Sequence, residues 1–159
     1  MIKLIPIEQA DYDVFREHEI VEYANDHVKN GNWHAEEAIE KSRAEFQHYL
    51  PDGPKSKDQF VLTIFNDETK QKLGVLWVQV KMDDPRCEAF IFDFIIEEQF
   101  RGKGFGKQAL IALDEKLIEL GAESVSLHVF GHNTNAFELY KKMGYEVTNI
   151  QMRKAYKKE

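Results

Sequence analysis

Apolar and polar residues follow two periods along this chain, and the periods predict its helices and strands. Over residues 34–50 apolar positions recur every three or four residues, which is typical of an amphipathic helix. Residues 9–29 are polar with scattered apolar positions and predict another helix, with a break left open. Two further helices are predicted at 104–120, where leucines recur at helical spacing, and at 134–143.

Runs rich in β-branched and aromatic residues predict the strands. They lie at 2–7, 60–65, 72–81, 87–96, 124–130 and 145–153. The three strands between residues 60 and 96 are joined by short, turn-rich connections, which predicts an antiparallel meander. The order strand, two helices, three strands, helix, strand, helix, strand predicts an α/β (α+β) chain with a single domain over residues 1–159.

Composition narrows the classes of function. The net charge of −7 argues against nucleic-acid binding, because a phosphate backbone requires a basic surface. No apolar run reaches the length of a membrane span, and the first residues lack the apolar core of a signal peptide. Cys87 is the only cysteine, so no internal disulfide can form. We therefore expect a cytoplasmic protein with no nucleic-acid or membrane partner.

The segment between the fourth predicted strand and the third helix carries the strongest chemical signal. It reads Arg101-Gly102-Lys103-Gly104-Phe105-Gly106-Lys107, a glycine-rich turn at the start of a helix. Unpaired backbone N–H groups at the positive end of a helix form a phosphate-binding site. Arg101 and Lys107 bracket the turn and add two cationic donors.

Spacing separates three phosphate-binding patterns at this turn. A Walker loop requires Gly-x-x-x-x-Gly-Lys-Ser/Thr, whereas position 108 is Gln and the glycines lie closer together. Residues 104–109 satisfy the dinucleotide pattern Gly-x-Gly-x-x-Ala, but only 50 residues follow, too few for the rest of such a fold. Arg101, Gly104 and Gly106 meet the third pattern, Arg/Gln-x-x-Gly-x-Gly/Ala.

A second motif lies one helix and one strand further along the chain. Residues 133–145 read Asn-Thr-Asn-Ala-Phe-Glu-Leu-Tyr-Lys-Lys-Met-Gly-Tyr and match Asn-x-x-Ala-x-x-Leu-Tyr-x-x-x-Gly-Phe/Tyr. With both motifs in this order, the chain resembles the GCN5-related N-acetyltransferase (GNAT) family. The resemblance implies the GNAT fold, which is a mixed, mostly antiparallel six- or seven-stranded sheet flanked by about four helices, with splayed central parallel strands.

The resemblance also implies a reaction and a set of binding residues. It implies acetyl-CoA as cosubstrate and transfer of its acetyl group to a primary amine of a small molecule or peptide, by direct attack in a ternary complex. The implied coenzyme-binding residues are Phe94, Ile95, Ile96, Arg101, Gly102, Lys103, Gly104, Phe105, Gly106, Lys107, Asn133, Ala136, Phe137 and Tyr140. The strand residues among them are expected to contact pantetheine through their backbone. A homodimer is compatible with the resemblance.

Tyr140 and Asp93 are the predicted catalytic residues. The resemblance favours Tyr140 as the general acid that protonates the departing thiolate, and a core aromatic is the alternative. The base is left open among carboxylates, histidines and ordered water. Asp93 and Glu88 differ in parity, so a regular strand directs at most one of them into the cleft. Asp93 is the more interesting of the two because an acid inside an apolar strand is costly to bury, and a structural salt bridge or a cap on a neighbouring loop is the equally weighted alternative.

Further residues are available for the acceptor and for capping. The acceptor site is expected between the helices of residues 9–50 and the loop at 51–58, the part of the family fold that varies. Candidates there are Glu17, Glu19, Glu22, Asp26, Trp33, His34 and Tyr49. Asn133 is expected to cap the last helix, to bind the coenzyme arm, or both.

Two alternatives concern metal binding and catalysis itself. His128 and His132 straddle a strand end instead of sharing one helix face, which argues against a metal site. A non-catalytic module that senses acyl-CoA is the alternative function. The length of the transferred acyl group is left open.

Overall fold

The computed structural model describes residues 1–156, which form a five-stranded sheet with helices on both faces. The strands are β1 (Ile2–Pro6), β2 (Gln59–Asn66), β3 (Gln71–Val80), β4 (Ala89–Ile96) and β5 (Val125–Leu127). The helices are α1 (Gln9–Lys29), α2 (Ala35–Tyr49), α3 (Phe105–Glu119) and α4 (Thr134–Lys142). All four predicted helices are present, and α1 runs without a break. None of the helices in this part of the chain is both long and apolar enough to cross a membrane.

The sheet is mixed and mostly antiparallel, as predicted. Its strand order is β1-β2-β3-β4-β5. The first four strands pair antiparallel, which confirms the meander, and only β4 and β5 are parallel. A parallel neighbour requires a crossover connection, which α3 supplies.

The predicted strand at 145–153 does not form, so the sheet of the described residues has five strands and not six or seven. The apolar alternation changes parity in this segment, because Tyr145 and Val147 are odd-numbered whereas Ile150 and Met152 are even-numbered. No single face of a strand would collect these four side chains. The strand it would extend, β5, is also only three residues long and offers a short edge.

Each face of the sheet has its own apolar core. On one face α3 covers the sheet in a cluster that includes Ile64, Leu76, Val78, Ile91, Leu110, Leu113 and Leu117. On the other face α1 and α2 cover a cluster that includes Phe15, Ile20, Phe46, Val61 and Trp77. Burial of each large apolar side chain stabilises the fold by about 1.5–3 kcal/mol. Helix α4 lies on the same face of the sheet as α3, because Leu139 and Met143 of the α4 region pack against the first cluster.

Strands β3 and β4 approach closely at Gly74. A Cβ atom there would collide with the carbonyl oxygen of Ile95 and lie 3.0 Å from the Cα atom of Ile96. Both obstacles are backbone atoms, which cannot move without disturbing the sheet. Gly74 is therefore required by the pairing of the strand that carries the predicted pantetheine contacts.

We predict that Gly74→Ala destabilises the protein by about 3 kcal/mol, because the added methyl group overpacks a backbone contact. The midpoint of urea unfolding measures this loss. Gly131→Ala is the matched control, since no atom lies within 4 Å of the Cβ position there and φ is not in the left-handed region. Equal midpoints for the two variants would contradict the close approach at Gly74.

Candidate active site

The glycine-rich turn presents six consecutive backbone N–H groups without an acceptor. Those of residues 102–107 donate to no atom within residues 1–156, and the helical pattern begins when Gln108 donates to the carbonyl of Gly104. Gly102 and Gly104 have φ values of +75° and +81°, a conformation that glycine adopts without strain. No atom lies within 4 Å of the Cβ position of either glycine. The turn is therefore an open cradle of donors suited to a diphosphate.

The turn is attached to the structure on both sides. Nε of Arg101 donates to the carbonyl oxygen of Ile96 at 2.8 Å, which ties the start of the turn to the end of β4. At Gly106 a Cβ atom would lie 3.2 Å from Cδ2 of Leu139 and 3.7 Å from Cζ of Phe94. The missing side chain lets α3 approach α4 and β4. The two sequence motifs consequently meet at the start of α3.

The two parallel strands separate soon after they meet. β4 and β5 pair through Ala89 with Val125, Phe90 with Ser126 and Ile91 with Leu127, and the pairing then ends. Residues 92–96 continue along β3 alone among the described strands. The predicted splay is confirmed, and it leaves one edge of β4 open beside the cavity. The side chains of Phe94 and Ile96 pack on one core and that of Ile95 on the other.

A β-bulge at Phe92 determines where Asp93 lies. Trp77 pairs with Asp93 whereas Val78 pairs with Ile91, so β4 has one extra residue. Ile91 and Phe94 pack on the α3 core, although strict alternation would direct residues 91 and 93 to the same face. The bulge turns Asp93 towards α1 instead. Glu88, the other carboxylate considered for the base, pairs with Arg86 at 3.3 Å and does not line the cavity.

Asp93 sits beside a second buried carboxyl group, that of Glu19. Burial, followed by the charge of Glu19, raises the pKa of Asp93 well above its ordinary value. The N–H of Phe94 donates to Oδ1 of Asp93 at 2.9 Å and opposes this rise. Burial also raises the pKa of Glu19, which is only 8% exposed. Two adjacent carboxyl groups with raised pKa values share one proton more readily than they lose both.

Tyr140 lies on α4, and Asn133 immediately precedes the first residue of that helix. The Oδ1 atom of Asn133 accepts a hydrogen bond from the N–H of Ala136 at 3.4 Å, so the expected cap is present. The Tyr140 ring lies 6.3 Å from that of Phe94. Tyr140 is one of the residues that line the cavity. Burial, followed by the charge of Asp93, raises the pKa of Tyr140, so the phenol keeps its proton at neutral pH.

A cavity of about 410 Å³ joins these residues. It brings together Asp93, Phe94, Asn133, Ala136 and Tyr140 of the predicted site. The glycine-rich turn, Phe137, Ile95 and Ile96 do not line it. Among the acceptor candidates, Glu19, Asp26 and Tyr49 line the cavity, and Glu17 instead pairs with Arg43 at 3.0 Å. Trp33 stacks on His27 with ring centroids 3.9 Å apart.

The cavity wall is acidic and aromatic. Its carboxylates are Glu19, Asp26, Glu45 and Asp93, and none of the described residues that line it is Lys or Arg. Its aromatic residues include Tyr23, Phe46, Tyr49, Trp77, Phe90, Phe92 and Phe130. Such a wall favours a cationic ligand with an apolar chain.

Sequence reasoning missed Tyr23, His27 and Glu45 in this wall. Tyr23 could have been found, because it lies four residues after Glu19 and therefore on the same face of α1. Glu45 had no such signal, since it reaches the cavity only through the packing of α2 against α1. That packing includes a hydrogen bond from Oγ of Ser42 to the carbonyl of Ile20 at 2.7 Å.

The loop after β5 covers one side of the cavity. Nε2 of His132 lies 3.0 Å from Oδ1 of Asp26 on α1, and the Phe130 ring lies 5.0 Å from that of His27. These contacts draw the chain away from β4 after Leu127, which is why the predicted strand at 124–130 is shorter. Among the described residues, no group of three or more His, Cys, Asp or Glu side chains is arranged to hold a metal ion.

Comparison with known proteins shows extended similarity to acetyltransferases. The chain is 41% identical to the uncharacterized N-acetyltransferase YdgE of Bacillus subtilis over 146 residues, 92% of each chain. It is 36% identical to YycN of the same organism, also an uncharacterized N-acetyltransferase, over 96% of this chain and 97% of that one. The crystal structure of YycN matches with a TM-score of 0.94, at 34% identity, over 99% of this chain and 100% of that chain.

A shorter similarity links the chain to the spermine/spermidine N(1)-acetyltransferase of Bacillus subtilis. The two are 32% identical over 72 residues, 45% of this chain and 47% of that one. The model of the acetyltransferase (GNAT) family matches residues 14–145, which include both motifs, the splayed strands and most of the cavity wall. This chain therefore belongs to the GNAT family and is an N-acetyltransferase.

Proposed function

We propose that the protein transfers the acetyl group of acetyl-CoA to a primary amine of a small cationic molecule, by direct attack in a ternary complex. One observation carries the proposal. A single cavity is lined both by residues of the second motif and by carboxylates and aromatic rings. A thioester and an amine could therefore meet inside it without a covalent enzyme intermediate.

The coenzyme-binding region is formed by the turn, which lies outside the cavity lining itself, and by the open edge of β4. The six unpaired N–H groups of residues 102–107 suit a diphosphate, and the exposed side chains of Arg101, Lys103 and Lys107 add positive charge. The edge of β4 beyond Ile91 offers backbone groups to the pantetheine arm. These features support the binding role of residues 94–96 and 101–107.

The chemistry at the thioester requires an acid. When the amine attacks the carbonyl carbon, a C–N bond forms and the C–S bond breaks, and the departing thiolate takes up a proton. Tyr140 supplies that proton, because it lines the cavity and its raised pKa keeps the phenol protonated at neutral pH. The second N–H proton of the amine, released as the amide forms, restores the phenol.

The chemistry at the amine requires a base. A primary alkylamine has a pKa near 10.4 and enters as an ammonium ion, which cannot attack. Asp93 lies on the cavity wall beside Glu19, and their shared negative charge accepts the proton. The raised pKa of the carboxyl pair makes it a stronger base than an isolated aspartate.

The acceptor is a cation with more than one amino group. The reacting amine needs one carboxyl pair. Glu45, and Asp26 with the oxygen that does not contact His132, also lie on the cavity wall and can accept from a second ammonium group. The surrounding aromatic rings suit the methylene chain between two such groups and attract the cation. The similarity to a protein named spermine/spermidine N(1)-acetyltransferase supports the same class of acceptor.

We predict that Tyr140→Phe lowers kcat roughly 100- to 10,000-fold, the usual contribution of a positioned proton donor. Thiol release measures kcat, and calorimetry with CoA should give nearly unchanged affinity because the ring remains. Tyr145→Phe is the matched control, since it removes a neighbouring phenol hydroxyl that does not line the cavity. If the two variants have the same kcat while chemistry limits turnover, Tyr140 is not the acid.

We also predict a preference for diamines over monoamines of equal chain length. 1,4-Diaminobutane should exceed butylamine in kcat/KM by roughly 10-fold, the value of one additional charged hydrogen bond. The preference should shrink with added salt and in Glu45→Gln, whereas the rate with butylamine should not fall in that variant. Binding of CoA without acetylation of any amine would instead favour the acyl-CoA sensor.

A further inference from the structure

We propose that the proton released by the acceptor leaves the active site along a route from Asp93 through Glu19 to the exposed histidine His18. The inference rests on the proposed transfer to an amine. Each turnover of an ammonium ion and a thioester gives an amide, a thiol and one proton. Because Tyr140 is restored by the amine itself, this proton must leave through the base.

Asp93 and Glu19 form the inner part of the route. Asp93 lines the cavity, and its Oδ1 accepts from the N–H of Phe94 at 2.9 Å. Glu19, on α1, lines the same cavity as Asp93, and its charge raises the pKa of the Asp93 carboxyl group. The bulge at Phe92 creates this proximity, because it turns Asp93 towards α1.

His18 connects Glu19 to the solvent. Its Nδ1 lies 2.7 Å from Oε2 of Glu19. The Glu19 side chain is 10% exposed, whereas that of His18 is 64% exposed. Glu19, which lines the cavity together with Asp93, is therefore in direct contact with a histidine at the surface.

The groups around the pair increase its affinity for a proton. Glu22 and Asp26 on α1 add negative charge near Glu19, Asp26 also acts on Asp93, and Tyr140 on α4 faces Asp93 as a neutral phenol. Neither carboxyl group has a Lys or Arg ion-pair partner in the described part of the chain. A buried carboxyl pair without a cation costs stability. A role in proton transfer explains why two acids occupy this position.

The transfer balances as three proton steps. The ammonium ion gives a proton to the Asp93–Glu19 pair, which held one proton and one negative charge and now holds two protons. Glu19 passes one of them to Nδ1 of His18, which restores the pair. The protonated imidazole then loses a proton to water or buffer. Both Glu19 and His18 act through Asp93, so they are positioning residues.

The test compares the pH and buffer dependence of kcat at saturating amine for the wild-type protein, Glu19→Gln and His18→Gln. In Glu19→Gln the fall of kcat on the acidic side of the pH profile should move to lower pH, because the neighbouring charge that raises the pKa of Asp93 is gone. In His18→Gln the acidic side of the pH profile of kcat should stay at the same pH. In dilute buffer kcat should fall, and added imidazole should restore kcat. His48→Gln, an exposed histidine on α2, is the control and should behave as wild type.

Two results would overturn the proposal. One is a pH profile of kcat whose acidic side lies at the same pH in Glu19→Gln as in the wild-type protein. The other is a kcat of His18→Gln that equals the wild-type value at every buffer concentration. Thermal unfolding of each variant checks that the fold is retained, and His18 is exposed enough that its replacement should leave the fold intact. A wild-type protein that acetylates no amine would instead refute the proposed function, so the two failures are distinguishable.

Discussion

The separation of β4 from β5 after three paired residues is the constraint on which the site depends. A parallel pair that continued would satisfy the edge of β4 with hydrogen bonds and leave no opening between the strands. Instead the chain after Leu127 crosses to α1, where Phe130 packs on His27 and His132 contacts Asp26. The polar edge of β4 thereby becomes available to a ligand. The same crossing closes one side of the cavity.

The electrostatics of the cavity differ from those of the turn. The turn offers N–H donors and cations to a phosphate, whereas the cavity wall offers four carboxylates. The turn therefore suits an anion, whereas the cavity suits a cation. The chain's net charge of −7 does not reveal this division, because it sums over the whole surface. In the proposed reaction, these opposite charges orient the two substrates before they meet.

Local signals predicted the helices, the meander and both motifs, because periodicity, glycine spacing and capping act within a few residues. The predicted cap at Asn133 is an example, since its bond reaches only to Ala136. The bulge at Phe92 was beyond such signals, because it results from the pairing of β4 with Trp77 and Val78 on another strand. The sequence could therefore nominate Asp93 but not its contact with Glu19. The strand at 145–153 was wrongly predicted from residues whose alternation changes parity midway.

The bulge and the core of the α1–α2 face depend on one residue, Trp77. Its ring stacks on Phe92 at 4.6 Å and packs on Phe46 at 5.5 Å, and its Nε1 donates to Oε1 of Gln59 at 2.7 Å. The floor of the cavity is thus also part of the folded core, so its shape cannot change without a cost in stability. Residues of α1 and α2 that line the cavity without belonging to the core can be replaced without that loss of stability. If the protein acts as proposed, acceptor preference is easier to alter at Glu45 than at the proposed base Asp93, whose position the core fixes.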